Sequence, residues 1–98
     1  MVLRLLQLVI YVATDGVCAG NSPCFSSIQN GINAADTVTI MKITQETYVE
    51  NVILNTLIQL MFQGGWNSTF TAIQSNTTIN GSLTISDGTL IIENIILQ

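Results

Sequence analysis

Short apolar clusters punctuate the second half of the chain about every six to nine residues, with Asn, Gly, Ser, Thr and Asp between them. They are Val52-Ile53-Leu54, Leu60-Met61-Phe62, Ile79, Leu83-Thr84-Ile85, Leu90-Ile91-Ile92 and Ile95-Ile96-Leu97. An amphipathic helix would repeat its apolar positions at intervals of three and four over longer windows, and no such window exists here. The rhythm predicts short strands separated by corners, with roughly three sides to each coil. Stacked coils bury a core only against their neighbours. The expected class is all-β, and the expected architecture a short right-handed parallel β-helix of a few coils.

The first half reads differently. Leu8 to Ala13 forms an apolar strand, and Thr14-Asp15-Gly16 a turn. Ser22 before Pro23 predicts a helix start, with a hydroxyl N-cap and proline at the first helical position. From Cys24 to Ala35 the apolar residues Phe25, Ile28, Ile32 and Ala35 share one helical face, which predicts an N-terminal capping α-helix over the open end of the stack. A strand over Thr37 to Ile43 follows, its apolar positions being Val38, Ile40 and Ile43, with Lys42 turned away from the core. A corner at Thr44-Gln45-Glu46 leads on to Tyr48-Val49 and Asn51 to Leu54. Gly64-Gly65 ends the next strand, and Trp66 to Phe70 forms a loop. Asn80-Gly81 and Asp87-Gly88 are turn signals that also fit an alternative, antiparallel hairpins over Thr77 to Leu97.

Composition changes this picture in three ways. The chain has 98 residues, room for one small domain, and only 8% of them are charged, so Asn, Thr, Ser and Gln must cover its surface. Two basic residues, Arg4 and Lys42, cannot track a phosphate backbone, which excludes nucleic acid as a partner. With no histidine, Ser/His/Asp catalysis is excluded as well. Cys18 and Cys24 flank a Gly-Asn-Ser turn. A redox pair would favour Cys-x-x-Cys and a metal site would need further ligands, so the pair reads as a structural disulfide and points to an extracellular or cell-surface location.

Residues 1–10 read as either a first strand or the remains of an export segment, and residues 11–98 as cap and first coils. The apolar run near the start is too short to span a membrane.

Several segments resemble a known family. Phe25-Ser26-Ser27-Ile28-Gln29, Ile32-Asn33-Ala34-Ala35, Val38-Thr39-Ile40 and Thr47-Tyr48-Val49-Glu50-Asn51-Val52 are similar to the opening of the right-handed parallel β-helix proteins of the pectin-lyase-like superfamily. The closest likeness is to secreted bacterial surface proteins of that group. Glu46 stands where those proteins usually have glycine before Thr-Tyr. The resemblance implies a capping helix, a secreted protein, and polysaccharide as a partner. It carries over no catalytic residue, because the acids and bases of the enzymes in that group lie on later coils.

Candidate chemistry is sparse. Glu46 with Glu50, and Asp87 with Glu93, are the nearest approach to paired carboxylates, but each sits at a predicted turn, where acids ordinarily bond backbone amides. No metal or cofactor site is expected. Trp66, Phe70 and Tyr48 are the candidate binding residues, able to stack on sugar rings or to form a lid over the core. Asn67-Ser68-Thr69, Asn76-Thr77-Thr78 and Asn80-Gly81-Ser82 match the glycosylation pattern. The functional expectation is a non-catalytic extracellular scaffold, display or adhesion module forming the N-terminal part of a longer protein. The alternative is a carbohydrate-binding module, or an inactive fragment of a pectin-esterase-like or polysaccharide-lyase-like enzyme. Ile95-Ile96-Leu97 close the sequence without a polar cap, so self-association through an open C-terminal end, or a continuation of the chain, is also expected.

Overall fold

The computed structural model describes residues 8–98, and readings that concern residues 1–7 lie outside them. The strands are β1 (Leu8–Val12), β2 (Cys24–Phe25), β3 (Val38–Thr44), β4 (Thr47–Val49), β5 (Val52–Trp66), β6 (Thr77–Asn80), β7 (Leu83–Glu93) and β8 (Ile95–Leu97), with one short helix, α1 (Ile28–Asn33). They form a five-stranded sheet in the order β2-β1-β3-β5-β7 and a three-stranded sheet in the order β4-β6-β8. Every ladder between these strands is parallel.

The all-β class holds, with 56% of the described residues in strands, but the expected parallel β-helix does not. The strands lie in two parallel sheets, and no third sheet closes a coil among the described residues. The physical reason lies in β5 and β7. Val52-Ile53-Leu54 and Leu60-Met61-Phe62 were expected on separate sides with a corner between them. Both belong to the 15-residue strand β5, and the expected corner is a pair of register shifts around Asn55. In the same way β7 runs from Leu83 through Gly88 to Glu93. Polar residues that signal a corner in sequence are absorbed here as bulges inside a strand. The hairpin alternative fails too, since β6 and β7 pair with earlier strands and not with each other.

The expected capping α-helix over Cys24 to Ala35 shrinks to the six residues of α1, with Ser27 rather than Ser22 as N-cap, its side chain accepting from the Asn30 amide at 3.1 Å. The preceding residues are taken by the sheet. Tyr11 donates to the Pro23 carbonyl at 2.9 Å, and Ala13 to that of Phe25 at 3.0 Å, so Cys24 and Phe25 become β2. A ladder satisfies these backbone groups, whereas a short isolated helical turn would leave its ends open. The Cys18–Cys24 disulfide is present, tying a tight turn at Cys18–Gly20 to β2. Closing so short a loop stabilises by about 2 kcal/mol in the chain-entropy model.

The core is built from rows of side chains in register. Ile10, Met41, Phe62 and Ile92 follow one another across β1, β3, β5 and β7, and Leu8, Thr39, Leu60 and Leu90 run beside them. In β3 the buried positions are Thr39, Met41, Ile43 and Thr44, while Val38 and Ile40 lie on the half-exposed face. This reverses the expected parity for two residues. Thr39 is tolerated inside because its hydroxyl donates to the Asp36 carbonyl and accepts from the Asp36 amide, both at 3.0 Å.

Candidate functional site

The polar chemistry of the fold gathers at the turn between β3 and β4, where Thr44, Glu46 and Tyr48 recur at every second position. The Tyr48 ring is buried, and its hydroxyl lies 2.6 Å from that of Thr44 and donates to the Val12 carbonyl at 3.2 Å. The Glu46 carboxylate accepts from the Thr14 hydroxyl at 2.8 Å and the Thr14 amide at 3.1 Å, and also from the hydroxyls of Thr44 and Tyr48. This network stitches the end of β1 to the β3–β4 turn. Beside it lies a cleft of 470 Å³ between Thr44–Glu46 and the loop residues Asn67, Ser68, Thr69 and Gln74.

Two opposing effects act on Glu46. Partial burial pushes its carboxyl up, but the bonds from Thr44, Thr14 and Tyr48 together hold it below its ordinary value of 4.5. The Tyr48 phenol moves the other way. Burial raises it well above its ordinary 10.0, the Thr44 hydrogen bond opposes that rise, and the charges of Glu46 and Glu50 add to it.

These shifts predict a bell-shaped stability curve. The folded carboxyl of Glu46 ionises at lower pH than the unfolded one, so its stabilisation is complete above pH 4.5 and is lost as pH falls through the depressed folded value. Folded Tyr48 holds its proton beyond its ordinary value, so that contribution is complete below pH 10.0 and is lost as pH rises through the folded value. Thermal melts across pH should therefore show a plateau with a fall on each side, and Glu46→Gln should flatten the acid limb. An unchanged acid limb in that variant would refute the assignment.

Glu50, the expected partner of Glu46, has different work. Its carboxylate accepts from the amides of Ile28 at 2.8 Å and Gln29 at 3.1 Å, closing the first turn of α1. The Gln29 side chain reaches on to β5, accepting from the Ile53 amide at 2.7 Å and donating to the Ile53 carbonyl at 3.1 Å, as a further strand would. Of the second pair, Asp87 accepts from the Gly88 amide at 3.1 Å, inside the irregular stretch of β7. Neither pair shares a set of partners.

Trp66 and Phe70 do come together, with ring centroids 6.4 Å apart, but Tyr48 does not join them. Their company is Tyr11, packed edge-on to Phe70 at 5.2 Å, and Lys42, whose ammonium sits 4.7 Å from the Trp66 centroid and 5.7 Å from that of Tyr11. Tyr11 and Lys42 are register partners on β1 and β3, which places them side by side on the half-exposed face of the larger sheet. The loop folds back because Asn67 organises it. Its side-chain oxygen accepts from the Thr71 amide at 2.9 Å, and its backbone exchanges bonds with Ala72 and Phe70 at 3.0 Å. The Trp66 Nε1 is buried and finds no partner among the described residues. Lys42 stands over the Trp66 ring on the half-exposed face of the larger sheet, away from the core, and Nε1 is turned in.

Sequence reasoning missed Thr14, Lys42 and Tyr11 as members of these clusters. The alternation Thr44, Glu46, Tyr48 was a signal for one shared face, but the partners from β1 are more than 30 residues away. Among the described residues no group of His, Cys, Asp or Glu is arranged to hold a metal ion, and no helix is long and apolar enough to cross a membrane. Comparison with known protein families, curated proteins and solved structures finds no match.

Proposed function

We propose that this chain is a non-catalytic structural module of an extracellular protein, serving as scaffold, display element or adhesion surface. The observation that carries the reading is the use made of its carboxylates. Asp15, Asp36, Glu46, Glu50 and Asp87 each accept a hydrogen bond from a backbone amide, at a turn, at a helix start, at the stitch between the end of β1 and the β3–β4 turn, or at the bulge in β7. Both oxygens of Glu46 and both of Glu50 are bonded to the fold, which leaves these two carboxylates little freedom to act as a general base toward a substrate. The disulfide supports an oxidising compartment. The likeness of Thr47-Tyr48-Val49-Glu50-Asn51-Val52 to secreted surface proteins of the pectin-lyase-like superfamily points the same way.

The test is incubation of the purified chain with pectin and alginate. The expected result is no new reducing ends, no unsaturated products and no released methanol, with Trp66 emission unchanged through the titration. Product formation would overturn the reading. A saturable emission shift abolished by Phe70→Ala would favour the carbohydrate-binding alternative.

A further inference from the structure

The cleft beside the β3–β4 turn holds polar groups that the fold does not use. One wall is the turn Thr44–Glu46, and the other is the loop from Asn67 to Gln74. The backbone of both walls is pinned. The Gln45 amide donates to the Trp66 carbonyl at 2.8 Å and the Gln74 amide to the Gly65 carbonyl at 2.9 Å, while Asn67 orders the loop between them. None of the bonds that build these walls uses the side chains of Gln45, Ser68 or Gln74. Two carboxamides and a hydroxyl therefore line the cleft on fixed backbone, without partners among the described residues.

We propose that this cleft binds a single neutral sugar unit, held through its hydroxyl groups by Gln45, Ser68, Gln74 and the Glu46 carboxylate. The proposal rests on the adhesion form of the structural-module reading and gives it a ligand. Three features select that ligand. First, each uncommitted group both donates and accepts, as a sugar hydroxyl does. Second, no Lys or Arg lines the cleft, so a ligand carboxylate would face Glu46 with nothing to neutralise it, and uronic acids are disfavoured. An organic cation gains little either, because four hydrogen bonds already surround the one carboxylate. Third, the volume of 470 Å³ falls within the range of about 300–1,000 Å³ usual for small-molecule sites.

Glu46 is suited to holding a hydroxyl and not to reacting with it. Its Oε2 takes the Thr14 amide and the hydroxyls of Thr44 and Tyr48, whereas Oε1 accepts only from the Thr14 hydroxyl, at 2.8 Å, and keeps a lone pair for one more donor. Burial raises this carboxyl and its hydrogen bonds lower it further, to a net position below the ordinary 4.5. So weak a base accepts a hydrogen bond and leaves the proton where it is. Neither Trp66 nor Phe70 lines the cleft, so the sugar has no ring to stack on and the dissociation constant should be about millimolar.

The test is a titration of the nitrogen-15-labelled full chain with glucose, galactose and mannose, followed by nuclear magnetic resonance, with galacturonate as the charged control. At least one of the three sugars should move the side-chain amide signals of Gln45 and Gln74 saturably, together with the backbone amides of Ser68 and Thr69. Galacturonate should bind about tenfold more weakly or worse. Gln45→Ala combined with Gln74→Ala should weaken binding about tenfold, as the loss of two neutral hydrogen bonds does. Both side chains are exposed and outside the fold's own hydrogen bonds, so the remaining signals of that variant should stay in place. No saturable shift with any of the three sugars overturns the proposal. So do shifts centred on Trp66 and Phe70, equal affinity for galacturonate, and binding that the double variant leaves unchanged. Absence of binding without turnover of pectin or alginate removes the cleft ligand alone, whereas such turnover with binding intact removes the structural-module reading alone.

Discussion

Replacing Phe62 with alanine should destabilise the protein by about 3–5 kcal/mol, enough to unfold much of a domain this small near room temperature. Phe62 is the largest fully buried side chain, and it stands between Met41 on β3 and Ile92 on β7 in the central row of the core. Its neighbours are held in ladders on both sides and cannot collapse into the space, so the removed contacts are not replaced. Phe62→Leu should retain most of the stability. Chemical denaturation followed by far-ultraviolet circular dichroism would measure both, and a loss under about 1 kcal/mol for Phe62→Ala would show that the rows are not close-packed.

Gly65→Ala should cost about 2–4 kcal/mol, with a red shift in the emission of Trp66, the only tryptophan. Gly65 has φ +82°, and a Cβ there would overlap the Ser75 carbonyl. The same residue pins the loop at both ends. Its amide donates to the buried Thr77 hydroxyl at 2.9 Å, and its carbonyl accepts from the Gln74 amide at 2.9 Å. Thr77 in turn donates to the Thr44 carbonyl at 2.7 Å. Shifting Gly65 would therefore loosen the aromatic loop and the β3–β4 turn together. Gly20→Ala is the informative contrast. It shares a positive φ (+84°) but has open space where a Cβ would stand, so only the backbone strain, about 1 kcal/mol, should appear. Equal losses in the two variants would show that the Ser75 contact contributes nothing.

Much of the strand content is legible in the chain, because β-branched and aliphatic clusters between Asn, Gly and Thr suit a pleated, partly buried backbone. The disulfide is legible too, since so short a spacing leaves few other uses for Cys18 and Cys24. The course of the chain between clusters is not. Asn55, Thr56 and Gly88 have the composition of corners, but whether such residues turn the chain or bulge a strand depends on what pairs alongside. Here β5 and β7 bulge together, Asn55 against Asp87, so the irregularity in one strand is matched by its neighbour.

The candidate site divides in the same way. The loop chemistry of Asn67 and the pairing of Trp66 with Phe70 lie within a few residues and could be read locally. The company they keep could not. Tyr11 and Lys42 meet only through the β1–β3 register, and Thr14 reaches Glu46 only because β1 ends beside the β3–β4 turn. Residue type alone made Tyr48 an aromatic binding candidate, while the parity of a three-residue strand turned it inward.

By itself, then, the sequence determined an all-β chain poor in ionisable groups, closed by one disulfide and carrying aliphatic clusters at strand spacing, because these are properties of composition and local pattern. Only the tertiary structure decided that the clusters would merge into two parallel sheets, and which distant amides Glu46 and Glu50 would bond. Parallel pairing joins residues some 20 to 30 positions apart, and no local preference encodes which distant strand a given edge will meet.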